Sequence, residues 1–332
     1  MRSHKMTCYL IGAGFMGLTH VECYNSDKNV EILGIIDVDE AKGKELAVKA
    51  KCRYFSTLDE AFAYSKVDFV DVCLPSSMHA VAALQAMDNG ADVIVEKPFS
   101  ITVEDADAMI DRADKLNRRL FVAHVCRFMP QYTLAKKLVG EGRIGKEISI
   151  MCSRKSPAPL WGYKNWFQNK ELSGGTLLDL SIHDIDIANW FLGESLEYSA
   201  TISSKKSFPG ASHVISQIGY KNGEQAMIIG SHLMPQSYEL TVDFTIVGTK
   251  GSIEYTSFDT DGTLTLYSED TKESFSLKEV DAIAFANPYQ AELKHFVDCL
   301  MSGSDFAFSA EEARQAVISV HNLHKSAHFF EI

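Results

Sequence analysis

The sequence predicts an α/β protein of two domains. The first is a Rossmann-type doubly wound parallel sheet, and the second is an α+β domain with an open, mostly antiparallel sheet. Three features predict this. The chain has 332 residues, too many for one ordinary domain and suited to two of roughly 150 each. Over the first 120 residues, short β-rich runs alternate with helix-length segments. Beyond Pro130 the pattern changes to strand after strand with turn residues between them.

The early strands fall at 7–11, 32–37, 69–74, 92–96 and 120–123. Thr57-Leu58-Asp59-Glu60 has the form of a capping box, and Thr102-Val103-Glu104-Asp105 repeats it with Asp for Glu. Asn89-Gly90 closes the helix that starts near Ser77, because glycine takes the left-handed turn past a helix end at no steric cost. Strands alternating with helices make parallel βαβ units covered on both faces. This domain is placed at 1–124 and the second at 125–332. In the second, an amphipathic helix at 131–139 ends at Gly140. Strands follow at 148–153, 197–203, 213–220, 225–231, 239–247, 251–256 and 263–267. Lys221-Asn222-Gly223-Glu224 and Asp259-Thr260-Asp261-Gly262 supply hairpin turns. A helix at 176–192 interrupts the strands, and helices at 288–301 and 310–326 end the chain, the last a candidate to pack back on the first domain.

Composition excludes several classes. With 46% hydrophobic and 23% charged residues the chain is ordinary for a globular protein, and its length needs no disulfide or metal to support a core. A net charge of −12 opposes binding to nucleic acid or to an anionic membrane surface. No run approaches the roughly 18 apolar residues of a membrane span. The seven scattered cysteines form no C-x-x-C pair and read as small buried hydrophobes in a reducing cytoplasm.

Gly12-Ala13-Gly14-Phe15-Met16-Gly17 follows the first strand and opens a helix, and Asp37 stands 20 residues beyond Gly17 at the end of the second strand. Placed so, the motif is specific for a dinucleotide. Gly12 permits the tight turn, Gly14 lets backbone approach a pyrophosphate, and Gly17 lets helix pack on strand. Phe15 and Met16 would line the same cradle, and the pyrophosphate rests on the helix's positive end. Asp37 can accept hydrogen bonds from both ribose hydroxyls and would repel a 2′-phosphate. Val38, Asp39 and Glu40 supply no arginine, and Lys42 and Lys44 are expected to face solvent, so NAD is expected over NADP.

Two strand ends add to the crevice. Glu96-Lys97-Pro98 aims Lys97 toward the cofactor, with Pro98 biasing it to extended backbone. Leu74-Pro75-Ser76-Ser77-Met78-His79 leaves another strand, so Pro75, Ser76 and His79 are candidate cofactor contacts. Ser77 reads as a helix cap, and His79 as cofactor-facing or surface. Further on, Ser173-Gly174-Gly175 precedes a helix in which Asp179, His183 and Asp186 fall on one face. An acid and a histidine four apart also make an ordinary surface pair, and such a set can bind zinc, although one helix face rarely offers a tetrahedral site.

Together these elements resemble the Gfo/Idh/MocA family of NAD(P)-dependent oxidoreductases, which includes inositol 2-dehydrogenases, over nearly the whole chain. The resemblance implies that Lys97, Asp179 and His183 form the catalytic set; on the geometry of one helix face no metal is expected. It also implies that the free face of the second sheet makes a homodimer or homotetramer, and that the substrate is a secondary alcohol of a sugar or cyclitol, with inositol first. The chemistry agrees. His183 can take the hydroxyl proton, Asp179 can orient it, and Lys97 can stabilise developing alkoxide charge. The loop 156–171 carries Trp161, Asn165 and Trp166, which could wall a sugar site or serve as a packing element; Arg127 and Arg154 could anchor hydroxyls or form surface salt bridges. Two alternatives stand beside this reading: an NAD-using glycosidase working by transient oxidation, and a non-catalytic NAD(H) sensor.

Overall fold

A computed structural model describes residues 5–160, 162–257 and 262–332, apart from the side chains of Tyr163, Lys164, Pro209 and Ile283. The first half alternates β1 (Met6–Ile11), α1 (Phe15–Ser26), β2 (Val30–Ile36), α2 (Glu40–Ala50), β3 (Arg53–Phe55), α3 (Leu58–Tyr64), β4 (Phe69–Val72), α4 (His79–Asp88), β5 (Asp92–Glu96), α5 (Val103–Leu116) and β6 (Leu120–Ala123). Next come α6 (Pro130–Gly140), β7 (Glu147–Pro157), α7 (Lys170–Ser173), α8 (Gly175–Asp179) and α9 (Ile182–Leu192). A run of strands follows: β8 (Ser195–Lys205), β9 (Phe208–Tyr220), β10 (Gln225–Met234), β11 (Thr241–Gly248), β12 (Gly251–Thr256), β13 (Thr263–Ser268) and β14 (Lys272–Ser276). The chain closes with α10 (Leu277–Val280), α11 (Ala282–Ala286), α12 (Pro288–Ser302), α13 (Ala310–Lys325) and β15 (Ala327–Glu331). Among the described residues no helix is long and apolar enough to cross a membrane.

Two units result. One holds the chain up to Ala123 with Tyr289–Arg314; the other holds His124–Pro288 with Gln315–Ile332. The first unit's sheet is wholly parallel, in the order β3-β2-β1-β4-β5-β6. Its inner strand β4 is buried along its whole length, as a sheet covered on both faces requires, and so is the edge strand β6. The order reverses between β1 and β4, which makes the crevice at their carboxyl ends the topological switch point. Thr57 and Thr102 cap α3 and α5 as the sequence predicts, accepting from Glu60 N at 3.2 Å and Asp105 N at 3.1 Å. Ser77 does not cap. The chain instead passes through a 3₁₀ turn, closed by Met78 N donating to Pro75 O at 2.8 Å, and α4 begins without a side-chain cap.

The returning segment completes this core. Phe296 is fully buried, with ring centroids 5.1 Å from Phe69, 5.8 Å from Phe121 and 5.7 Å from Phe306.

In the second unit nine strands run in the order β14-β13-β12-β11-β7-β10-β9-β8-β15. The β7–β10 and β8–β15 pairs are parallel and the rest antiparallel. The hairpin at Gly223 (φ +93°) joins β9 to β10 as predicted. The one predicted at 259–262 lies, apart from Gly262, outside the described residues. Sequence reading expects one helix at 176–192, but the structure has two. Leu180 N and Ser181 N both donate to Thr176 O at 3.0 Å, which widens the turn and ends α8 at Asp179. β10 approaches closely there, since a Cβ on Gly230 would lie 2.1 Å from Ser181 Oγ. The three residues expected on one face therefore do not share a regular helix.

Replacing Phe296 by Ala tests whether the returning segment belongs to the first core. We expect a loss of about 3–5 kcal/mol in urea unfolding, the range for deleting a buried phenylalanine. A loss below about 1 kcal/mol would place Phe296 outside the cooperative core.

Candidate active site

In the first unit the glycine loop is shaped by close backbone contact. Gly12 has φ +110°, and a Cβ there would lie 2.4 Å from Cys73 O at the end of β4. A Cβ on Gly17 would lie 1.9 Å from Gly12 O, so α1 packs directly on the loop. At Gly14 a Cβ would meet nothing within 4 Å, and no side chain caps α1. Open space beside an uncapped helix start is what a pyrophosphate needs, so the residues fit a dinucleotide. Phe15 is exposed and Met16 half-buried at that helix start. Asp37 also has a task the sequence did not reveal. Its Oδ2 accepts from Ala13 N at 2.6 Å and its Oδ1 from Asp39 N at 2.7 Å, which fixes the loop. Each oxygen retains a lone pair for a further donor.

At the neighbouring strand ends, Pro75 is half-buried and Ser76 buried. Glu96 Oε2 accepts from Lys97 N at 3.0 Å, and the Lys97–Pro98 peptide bond is cis. His79 is neither cofactor-facing nor on the surface. It is buried between two carbonyls, with Nδ1 2.9 Å from Pro98 O and Nε2 2.8 Å from Leu74 O. Burial holds its pKa below the usual imidazole range.

A polar cluster that sequence reading missed lies behind this end of the sheet. His20 on α1 is fully buried, with Nδ1 2.8 Å from Asp71 Oδ2 and Nε2 3.1 Å from Glu96 Oε1. The latter contact is an ion-pair approach without hydrogen-bond alignment. Cys73 Sγ lies 3.3 Å from His20 Nδ1. Burial alone would lower the pKa of His20, but Asp71 and Cys73 outweigh it and hold the pKa well above the usual value. The signal in the sequence is Asp71 standing inside an otherwise apolar strand, a residue that is rarely buried unless paired. Glu292, on α12, is also fully buried, and its oxygens have no hydrogen-bond partner among the described residues. Burial first, then repulsion from Glu96 and Asp71, pushes its pKa well up, with His20 opposing.

In the second unit Asp179 ends α8 and His183 stands in the first turn of α9. Asp179 Oδ2 lies 3.4 Å from His232 Nε2, and His232 Nδ1 lies 3.0 Å from Ser156 Oγ. His232, on β10, is a partner that no local pattern announces. His183 Nδ1 lies 3.5 Å from Cys126 Sγ. Asp186 does not join them. It takes a bidentate contact from Arg127, Nε and Nη2 both at 2.8 Å, with His124 Nδ1 at 3.6 Å. Burial would raise the pKa of Asp186, but His124 and Arg127 hold it below the carboxylate range.

Arg127 and Arg154 are likewise not free anchors or surface pairs. Both are buried, and Arg154 grips Asp184 through Nη2 at 2.9 Å and Nε at 3.1 Å. In the aromatic loop, Trp166 stacks on Phe167 at 3.9 Å between centroids, and Asn165 is exposed with φ +56°. Trp161 lies outside the described residues.

Comparison with known proteins extends the likeness across both units. A family model described as oxidoreductase family, NAD-binding Rossmann fold, matches residues 6–124, and one described as GFO/IDH/MocA C-terminal domain matches 132–254. The inositol 2-dehydrogenase of Rhizobium meliloti is 25% identical over 93% of this chain and 92% of its own. The scyllo-inositol 2-dehydrogenase (NAD(+)) of Bacillus subtilis is 24% identical over 90% and 87%. The WlbA dehydrogenase of Bordetella pertussis, solved with NADH and UDP-GlcNAcA, shares the fold with a TM-score of 0.88 at 19% identity, over 98% of this chain and 96% of its own.

The raised pKa of Glu292 has a measurable consequence. Above the ordinary carboxylate pKa the unfolded chain releases a proton that the folded chain keeps, so stability falls as pH rises. Glu292→Gln removes this slope. The variant should be more stable than the parent near pH ~8, with the gap closing toward pH ~5 by at most roughly 1.4 kcal/mol per unit. Urea midpoints across that range measure it, and a gap independent of pH contradicts the assignment.

Proposed function

This chain belongs to the GFO/IDH/MocA oxidoreductase family, and from that premise we propose an NAD-dependent dehydrogenase acting on a secondary alcohol of a sugar or cyclitol, with inositol first. The reading rests most on the glycine loop at the switch point, joined to Glu96-Lys97-Pro98 at the end of β5. The names of the relatives that match over most of the chain support the substrate class. When bound, the nicotinamide takes up the hydride from the carbinol carbon. The protein's own residues handle the rest.

His183 receives the hydroxyl proton as the general base. Asp179 orients or relays, and its approach to His232 holds that carboxylate in turn. Lys97 donates to the substrate oxygen as alkoxide character develops. Gly12, Gly14, Phe15, Met16, Gly17 and Asp37 hold the dinucleotide, with Pro75, Ser76 and Glu96 beside it. The outer face of the second sheet presents Met151, Ile215, Met227, Ile229 and Tyr267, which supports reading it as a subunit contact in a homodimer or homotetramer. None of the seven cysteines is in a disulfide, which suits the cytoplasm.

Lys97→Ala should fold and bind NAD yet lose kcat by roughly 10²–10³, the range for removing one preorganised donor. His183→Ala should lose at least as much. Wild-type turnover by either variant removes that residue from the catalytic set.

NAD should be favoured over NADP at least tenfold in kcat/KM, or roughly 1.4 kcal/mol. The carboxylate of Asp37 supports this, as does Lys44, which is exposed and paired with Glu40. Asp37→Ser should narrow the gap by improving NADP and weakening NAD, the latter also because Ala13 N loses its acceptor. Equal use of both cofactors by the parent protein would show that this reading of Asp37 is wrong.

A further inference from the structure

Two buried histidines hold the segment that carries Lys97, and the proposed chemistry gives neither of them a task. Lys97 lies beyond the sheet: the β4–β5 ladder ends at Val95 and the β5–β6 ladder at Glu96. Its backbone direction must therefore be set from outside the ladders. A lysine has four rotatable side-chain bonds, so any drift of its Cα is carried to the ammonium group.

On the side before Lys97, its amide N–H donates to Glu96 Oε2 at 3.0 Å, and Glu96 Oε1 lies 3.1 Å from His20 Nε2. His20 is tied through Nδ1 to Asp71 Oδ2 at 2.8 Å, in the middle of the sheet. On the side after Lys97, Pro98 O lies 2.9 Å from His79 Nδ1, while His79 Nε2 lies 2.8 Å from Leu74 O. Whichever nitrogen carries the proton, that ring is wedged between the carbonyl after Lys97 and the one just past β4. Neither histidine is within reach of solvent.

We propose that His20 and His79 are positioning residues for Lys97, fixing the backbone on either side of it. This rests on the reading of Lys97 as the group that touches the substrate oxygen.

The test is a double-mutant cycle with NAD and the inositol isomer oxidised fastest. His79→Leu should lower kcat about tenfold or more, with the KM for the inositol and the Kd for NAD within about threefold, since a small misplacement of a reacting group costs rate before affinity. His79→Asn, whose amide can reach Pro98 O, should recover at least half of the loss on a logarithmic scale. In the Lys97→Ala background His79→Leu should cost no more than about twofold further, because a residue that acts through Lys97 has nothing left to position.

Full multiplication of the two losses overturns the proposal, as does His79→Leu with wild-type kcat. Either result leaves the role of Lys97 intact provided that Lys97→Ala is slow. Wild-type turnover by Lys97→Ala instead removes the underlying reading. Where His79→Leu does not fold, His20→Asn goes through the same cycle with the same expected non-additivity, and multiplication of its loss with that of Lys97→Ala overturns the proposal equally.

Discussion

The backbone of Gly12 lies against the carbonyl of Cys73 with no room for a β-carbon, and the geometry of the first unit's site depends on that approach. It joins the carboxyl ends of β1 and β4 at the point where the strand order reverses. From there α1 leaves over Gly12 O, which carries His20 down to Asp71. Asp37 braces the same loop from β2 through Ala13 N. Leu74, next after Cys73, gives its carbonyl to His79. One close contact thus sets the helix that faces the dinucleotide and both histidines that flank Lys97.

Both units spend buried polar groups on fixing short segments. In the second unit, His183 on α9 is followed by two acids that are each gripped by an arginine: Asp184 by Arg154 on β7 and Asp186 by Arg127. Such pairs are costly to desolvate and give little net stability over apolar packing of the same volume. Their effect is directional. Held by both pairs, the first turn of α9 keeps the His183 ring against Cys126. Buried polar contacts in the first unit do the same for Lys97.

What the sequence made legible was local. The glycine loop, the Thr57 and Thr102 caps and the Asn-Gly hairpin each depend on residues within a few positions, and each is found as read. Three strands escaped notice for physical reasons. β3 has only three residues, and β14 and β15 are edge strands without the alternation that burial on one face imposes. The break between α8 and α9 depends on Gly230 from a strand about 50 residues away, which no periodicity contains. The sequence offers His79, Arg127 and Arg154 as possible ligand contacts because a polar residue beside a strand end looks the same whether its partner is a ligand or a distant carbonyl or carboxylate. Their partners came from other elements. His232 and Glu292 were invisible for the same reason.

The central claim is that this chain oxidises a polyol with NAD. The most direct measurement is reduction of NAD, followed by the absorbance of the reduced nicotinamide, with the purified protein and a panel of inositols, aldoses and anhydro-sugars. The account predicts sustained, substrate-dependent formation of NADH with at least one inositol or sugar, in amounts matching the alcohol consumed. Tight NAD binding without net NADH from any member of the panel would contradict it, and cleavage of a glycoside under those conditions would show that the oxidation is transient.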